Sequence, residues 1–484
     1  MNAPPLLIIV LAAGKGTRMK SALPKVLHKI AGRSMLGHVL ALAHSANAQQ
    51  LVTVVGTDMP AVEAEAKKLA PASRTFIQHQ QQGTADAVLA AREAIKAHKG
   101  DVIVLYADTP LIRAETLMKL RAKLNEGAGV AVLGFLAANP SGYGRLLTEE
   151  KKGLGSAFNF VKHLTSDFAS YGRPTLRSSS ARSSDTLLAI REEKDASAAE
   201  RRVDLCNSGV MAFRIANLAD LLGHITNNNA KGEFYLTDVI ELARKAGHSA
   251  AVVECEEDEV LGVNARDQLA EAEAIWQRRR RTDLMQEGVT MIAPDTVWLS
   301  YDTVIGRDVV IEPNVFFGPG VKVDEGAEIK ANCHFEGAVI GKGARIGPFA
   351  RLRPGAALSE NVHVGNFVEV KNVTMAAGSK ANHLAYLGDG SVGAEANIGA
   401  GTIFCNYDGF NKSRTEIGAG TFVGSNSSLV APVKIGDGAY IGSGSVITKD
   451  VAAGSLALER SPQEERPGWA EKFRTLMGRR KGKS

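Results

Sequence analysis

Short apolar runs alternate with helix-like stretches from residue 1 to about 265, and the alternation stops there. Residues 6–11, 51–55, 74–77, 102–106 and 130–136 read as short strands rich in β-branched and other apolar residues, while 35–46 and 84–97 are amphipathic stretches of helical character. That order predicts an α/β domain on a largely parallel sheet, with ligands beyond the carboxyl ends of the strands. Residues 265–288 read as one helix, with Leu269, Ala272, Ile275 and Trp276 at helical spacing and an arginine run at 278–281. It is either a linker between domains or the last helix of the first.

After residue 300 the period becomes six. Ile305, Ile311, Phe317, Val323, Ile329 and Phe335 are spaced six apart, and after a one-residue slip Ile340, Ile346, Leu352, Leu358, Val364 and Val370 continue the rhythm. Val392, Ile398 and Phe404 form a third run, a loop follows at 406–416, and Ile417, Val423, Leu429, Ile435, Ile441 and Ile447 form a fourth. One inward residue per flat face predicts a parallel β-helix of hexapeptide repeats, with glycines such as Gly306, Gly341 and Gly347 turning the chain at its corners. A sandwich or barrel would alternate with period two instead.

Composition adds bounds. A chain of 484 residues exceeds one core, and its 49 glycines crowd after residue 300, as a repetitive architecture requires. A formal charge of +5 is small for this length, and the basic runs at 278–281 and 479–481 read as solvated faces, so no nucleic-acid partner is expected. Cys206, Cys255, Cys333 and Cys405 lie far apart, which suggests neither a zinc site nor a disulfide framework and fits a reducing cytoplasm. The apolar run at 6–13 has no Lys or Arg before it and is broken at once by glycines and charges, unlike a secretory signal. No apolar stretch reaches the ~20 residues of a membrane span.

The chemistry begins at residues 11–25. There an apolar strand feeds a turn in which Gly14 and Gly16 let backbone N–H groups approach an anion, with Lys15, Arg18 and, after Pro24, Lys25 as cations. Neither a P-loop Gly-Lys-Ser/Thr nor a Gly-x-Gly-x-x-Gly is present. This segment resembles the nucleoside-diphosphate-sugar pyrophosphorylases. Joined to a hexapeptide helix, the chain resembles over nearly its whole length the bifunctional N-acetylglucosamine-1-phosphate uridyltransferases / glucosamine-1-phosphate N-acetyltransferases. The resemblance implies a Rossmann-like, mostly parallel α/β nucleotidyltransferase (pyrophosphorylase) domain at 1–264, a linker helix at 265–288, and an acetyltransferase domain at 289–484. This last would be a left-handed parallel β-helix with a C-terminal tail. It further implies two-step synthesis of UDP-N-acetylglucosamine, a cell-wall precursor: acetyl-CoA acetylates glucosamine 1-phosphate, then UTP uridylylates N-acetylglucosamine 1-phosphate and pyrophosphate leaves.

For the first domain the resemblance implies that Leu11, Ala12, Ala13, Gly14, Gln78, Gly83 and Thr84 bind the nucleotide, and that Lys25 and Arg18 stabilise charge on the phosphoryl oxygens. An amide such as Gln78 beside backbone groups can pair with both the donor and acceptor edges of a base. Tyr106, which the resemblance places with Lys25 and Asn264 among the nucleotide- and sugar-binding residues, precedes Asp108, with Ala107 where the family has glycine. Asp108 and Asn264 match the ligands of a six-coordinate Mg2+, for which a carboxylate and an amide oxygen suit. Gly144, Glu192 and Asn207 match contacts to the amino sugar.

In the second domain charges interrupt the plain repeat at 346–355 and 364–371. Arg353 and Lys371 match the grip on the sugar phosphate, Tyr386 and Asn397 further sugar contacts, and His383 the general base, since an imidazole titrates near neutrality. Ala400, Asn406, Tyr407, Ser425, Ser443 and Arg460 match the acetyl-CoA side. The family trimerises, which implies a homotrimer with its site between subunits. Two other readings stay open: a single nucleotidyltransferase with a structural or regulatory β-helix, and a monofunctional acyltransferase with a dead first domain. Arg353, Lys371 and His383 argue against the former, Lys25, Asp108 and Asn264 against the latter. Residues 156–185, rich in Ser and Arg and poor in large apolar residues, insert before Glu192 and are expected to form a mobile or extended surface loop.

Overall fold

A computed structural model describes residues 4–149 and 185–481. It divides into two compact units, Met1–Trp276 and Gln277–Ser484. The expected loop at 156–185 lies, apart from Asp185, outside the described residues.

The sheet of the first unit contains β1 (Leu6–Leu11), β2 (Gln50–Gly56), β3 (Arg74–Gln78), β4 (Asp101–Tyr106), β5 (Val130–Leu136), β6 (Arg145–Thr148), β7 (Leu187–Arg191), β8 (Leu205–Phe213) and β9 (Ala250–Cys255). Their order is β9-β5-β8-β4-β1-β2-β3. β1 runs parallel to β2 and β4, and β8 antiparallel to β4 and β5. Every residue of β1 is buried, because Leu7, Ile9 and Leu11 enter one core and Leu6, Ile8 and Val10 the core on the opposite face. Burial on both faces is what makes a parallel strand read as an unbroken apolar run. The helical stretch at 84–97 divides into Thr84–Ala90 and Arg92–Ala97.

The helix Arg266–Gln286 has its first half, to Trp276, in the first unit and the remainder in the second. In the first unit Glu273 accepts a hydrogen bond from the Ala31 amide at 2.7 Å, and the Trp276 ring meets His38 edge-on at 6.3 Å. In the second, Gln277 exchanges hydrogen bonds of 2.7 and 2.9 Å with the Leu299 backbone. Arg281 corrects the expectation of a solvated arginine run: it is 8% exposed and donates to the Val297 carbonyl at 3.2 Å and to Asp295 at 2.9 Å.

The second unit stacks short strands, mostly of two residues, in parallel register, Ile311 on Ile329, Ile346, Val364, Ala381 and Ile398. All the residues of the six-period are buried. The glycines act differently from expectation. A Cβ at Gly306 would lie 2.7 Å from the Glu325 amide and one at Gly341 2.6 Å from the Ser359 carbonyl carbon, so these glycines admit the next coil. The left-handed corners come two residues later, at Asp308 (φ 60°) and Gly343 (φ 64°). Only Gly347 of the three has a positive φ, 94°. Among the described residues no helix is long and apolar enough to cross a membrane.

Candidate active sites

In the first unit the turn after β1 carries Gly16 at φ 61°, where a Cβ would sit 2.4 Å from the Lys25 Cβ. Only glycine allows Lys25 to pack there. Lys25 is 7% exposed, and its Nζ donates to Asp108 Oδ2 at 2.5 Å and to Asn264 Oδ1 at 2.9 Å. The Val263 amide donates to the Asp108 carbonyl at 2.8 Å, and Gln268 accepts from the Asn264 amide at 2.8 Å, so backbone ties hold the two oxygen donors side by side. Leu11, Ala12, Ala13, Gly14 and Lys25 line an open cavity of about 310 Å³ together with Gln78, Gly83, Thr84, Tyr106 and Asp108. Arg18 is exposed on the short helix Thr17–Met19 and does not line it.

Gly144, Glu192 and Asn207 meet beside Tyr106. The Asn207 amide donates to the Gly144 carbonyl at 2.8 Å, and a Cβ on Gly144 would lie 3.2 Å from Glu192 Oε1. Thr237 donates to Glu192 at 3.3 Å. Burial raises the Glu192 carboxyl above the usual carboxylate range, against the pull of Lys231 and Thr237. Gly209 leaves room for the Tyr106 ring, which a Cβ would approach to 2.8 Å.

In the second unit Arg353 donates to Glu369 at 2.8 Å, and Glu369 stands opposite Tyr386 in the ladder. Lys371 lies 3.6 Å from Asp389, which accepts from Asn372 at 2.7 Å and Asn406 at 2.5 Å. Burial opposes ionisation of Asp389, but those hydrogen bonds and the Lys371 and Lys412 charges outweigh it and hold its carboxyl below the usual range. Lys412 contacts Lys371 and is pushed below the ordinary lysine range by it. His383 lies at a corner, Nδ1 2.8 Å from Asn366 Oδ1. Above it the corner rises through Ala400, Ser425 and Ser443, whose carbonyl accepts from Arg460 at 2.8 Å.

Residues 8–199 match the MobA-like NTP transferase domain, and residues 302–337 and 414–449 the bacterial transferase hexapeptide (six repeats). The bifunctional protein GlmU of Azorhizobium caulinodans is 55% identical over 481 residues, 99% of this chain and 100% of that one. Its namesake in Xanthobacter autotrophicus is 52% identical over 482 residues, 100% of both chains. The chain belongs to the GlmU family. It is accordingly a bifunctional enzyme, a nucleotidyltransferase and an acetyltransferase on one chain, and its hexapeptide coils form a left-handed parallel β-helix.

Of the residues singled out from the GlmU-like sequence, Lys25, Asp108 and Asn264 form one cluster with the cavity, and Gly144, Glu192 and Asn207 a second beside Tyr106. Arg353, Lys371, Tyr386 and Asn406 gather around Glu369 and Asp389. Asn397 does not join them within the chain: it pairs in the ladder with Lys380, on another face. Tyr407 is 60% exposed. Glu369, Asp389, Lys412 and Asn366 were missed from sequence. The available signal was a charge or amide breaking the repeat, as Glu369 and Asp389 do.

Proposed function

We propose that these clusters are the two reaction centres of the enzyme. It makes UDP-N-acetylglucosamine in two steps, acetyl transfer from acetyl-CoA to glucosamine 1-phosphate and then uridylyl transfer from UTP with release of pyrophosphate. The convergence of Asp108 and Asn264 on the Lys25 ammonium carries the assignment of the uridylyl site.

At that site a phosphate oxygen of the sugar attacks the α-phosphorus of UTP, the new P–O bond forms, and the bond to the β-phosphate oxygen breaks. The β1 turn amides and Lys25 offset charge on the phosphoryl oxygens, an electrostatic and orienting role. Asp108 and Asn264 fit a magnesium ion, because two hard oxygen donors already converge on a single cation, the Lys25 ammonium. Bound there, the ion would add positive charge for the triphosphate oxygens. Glu192, with Gly144 and Asn207, accepts hydrogen bonds from the sugar.

At the acetyl site Arg353 and Lys371 hold the sugar phosphate, and Tyr386 and Asn397 hold the ring. His383 takes a proton from the amine as the amine nitrogen bonds to the thioester carbonyl carbon, the C–S bond breaks, the imidazolium returns that proton to the leaving sulfur, and the thiol of coenzyme A departs along the corner of Ala400, Ser425, Ser443 and Arg460. Asn406 and Tyr407 flank the acetyl group.

The acetyl site is completed in a homotrimer. Next to His383 the left-handed corner carries Phe349, Phe367 and Leu384 at φ 56°, 56° and 50°, where the same corner elsewhere has Asn314, Asn332, Gly401 and Asn426. They are 48%, 55% and 60% exposed in the single chain. A bulky left-handed residue costs roughly 1–2 kcal/mol, and burying the exposed half of such a side chain against a second copy returns roughly 1–1.5 kcal/mol. The cost of the column is therefore offset only when it is covered. Four free thiols suit work in the cytoplasm. Titrating magnesium against uridylyl transfer in Asp108→Asn tests the site: a steep rate loss and weakened magnesium dependence are expected, and an unchanged titration removes Asp108 and Asn264 from it.

A further inference from the structure

We propose that Asn366 is the positioning residue of acetyl transfer: its side-chain oxygen takes the Nδ1–H of His383 and leaves Nε2 as the bare nitrogen that receives the amine proton. The proposal rests on the reading of His383 as the base. The two side chains stand opposite each other in adjacent parallel coils, Asn366 paired with His383 in the ladder, with 2.8 Å between Oδ1 and Nδ1. The backbone clamps both ends of this contact. The Leu384 amide donates to the Asn366 carbonyl at 3.0 Å and the Gly401 amide to the His383 carbonyl at 3.3 Å. Beside them a Cβ on Gly365 would fall 1.9 Å from the Asn382 carbonyl oxygen, so only glycine lets these coils approach so closely.

His383 is an exposed side chain with two equivalent-looking nitrogens, and without a partner its tautomer is divided between them. An acceptor fixed at Nδ1 selects the tautomer protonated there. That this acceptor is an amide matters. A carboxylate at the same place would favour the protonated ring and leave less of the neutral base near neutral pH, whereas an amide orients the ring without adding charge. The charged and titratable neighbours on this face are His363, one rung from Lys380 and from Arg345, with Glu328 beyond. His363 is itself lowered, by burial first and then by the charges of Arg345, Lys380 and His383, with Glu328 pulling the other way. The residue following Asn366 is Phe367, whose left-handed conformation turns the chain away immediately and leaves the amide at the strand end.

The experiment compares Asn366→Ala, Asn366→Asp and His383→Ala in the full chain, reading kcat, KM and the pH profile of acetyl transfer, with uridylyl transfer and the melting temperature as checks of fold. Asn366→Ala should lose kcat at least about tenfold, short of the ~10²- to 10⁴-fold cost of losing the base itself, with KM for glucosamine 1-phosphate nearly unchanged. Asn366→Asp keeps the acceptor and the shape, and it should move the acid limb of the kcat/KM profile to higher pH by about one unit or more. A side chain that only supports the coil would move neither limb. An Asn366→Asp acid limb superimposed on the parent's, in a protein of normal melting temperature, overturns the proposal while leaving His383 in place. If His383→Ala retains acetyl transfer, the base assignment itself falls, and the role of Asn366 with it.

Discussion

The two units build their sites by opposite means. In the first, Gly14, Lys25, Asp108 and Asn264 come from segments far apart in sequence and meet only because strand ends and a helix start converge. In the second, the functional side chains recur at equivalent places in successive coils: Glu369 beneath Tyr386, Asn366 beneath His383, Ala400 beneath Ser425 and Ser443 along one corner. A repeat makes its own background. Against six-residue periodicity every residue that costs the coil something stands out, and those residues are the ones proposed to face substrate or a second copy. The α/β unit supplies no such background, because one buried carboxylate or amide there resembles any other.

Glycine substitution should separate the units most sharply. Gly16→Ala places a Cβ 2.4 Å from the Lys25 Cβ at a positive φ, and displacing Lys25 by about 1 Å should cost on the order of 10²-fold in uridylyl transfer. Acetyl transfer in the same variant should hold at the parent rate; a matching loss there would break the separation.

A smaller effect is expected from the corner column. Replacing Phe349 and Phe367 together by Asn restores the residue type that the left-handed corner takes at Asn332 and Asn426. Sedimentation should show the trimer weakened towards single chains, with acetyl transfer falling alongside it and uridylyl transfer kept. A variant that sediments as the parent does would mean the column is not the contact.

The smallest effect concerns stability. His38, half-buried between the Ile30 carbonyl it contacts and the Trp276 ring, has its pKa lowered to about 4 from 6.5, chiefly by its partial burial. The unfolded chain therefore binds a proton that the folded one refuses, and stability present above pH 6.5 should decline as the pH falls toward about 4. Calorimetry of His38→Gln should show a flatter decline for the first unit over that interval. An unchanged slope would assign the acid sensitivity to other groups.

These contrasts also explain what could be read from sequence. The period-six residues from Ile305 to Ile447 proved to be the core, since a coil with one inward position per face leaves no freedom in register. The strands 6–11, 102–106 and 130–136 were legible because burial on both faces makes them nearly uniformly apolar, whereas 51–55 and the largely unburied edge strand 74–77 showed mainly through β-branched and aromatic residues. β6 to β9 were not legible. β8 contains Asn207, Ser208 and Gly209 at a register shift, which interrupts any strand pattern, and β6 is only four residues long. Arg281 was misread because an arginine whose donors cap backbone carbonyls looks, in sequence, like one facing water. At the sites the family resemblance supplied Asp108 and Asn264, which spacing alone would never have paired. Asp389 and Lys412 emerged only when the coil and its loop were placed together.

The central claim is that one chain carries two chemically independent centres. Measuring both half-reactions in both His383→Ala and Asp108→Asn tests it most directly. His383→Ala should lose acetyl transfer by ~10²- to 10⁴-fold and keep uridylyl transfer, and Asp108→Asn should give the reverse. His383→Ala retaining more than about a tenth of acetyl transfer at neutral pH, or either substitution impairing both reactions equally, would contradict the account.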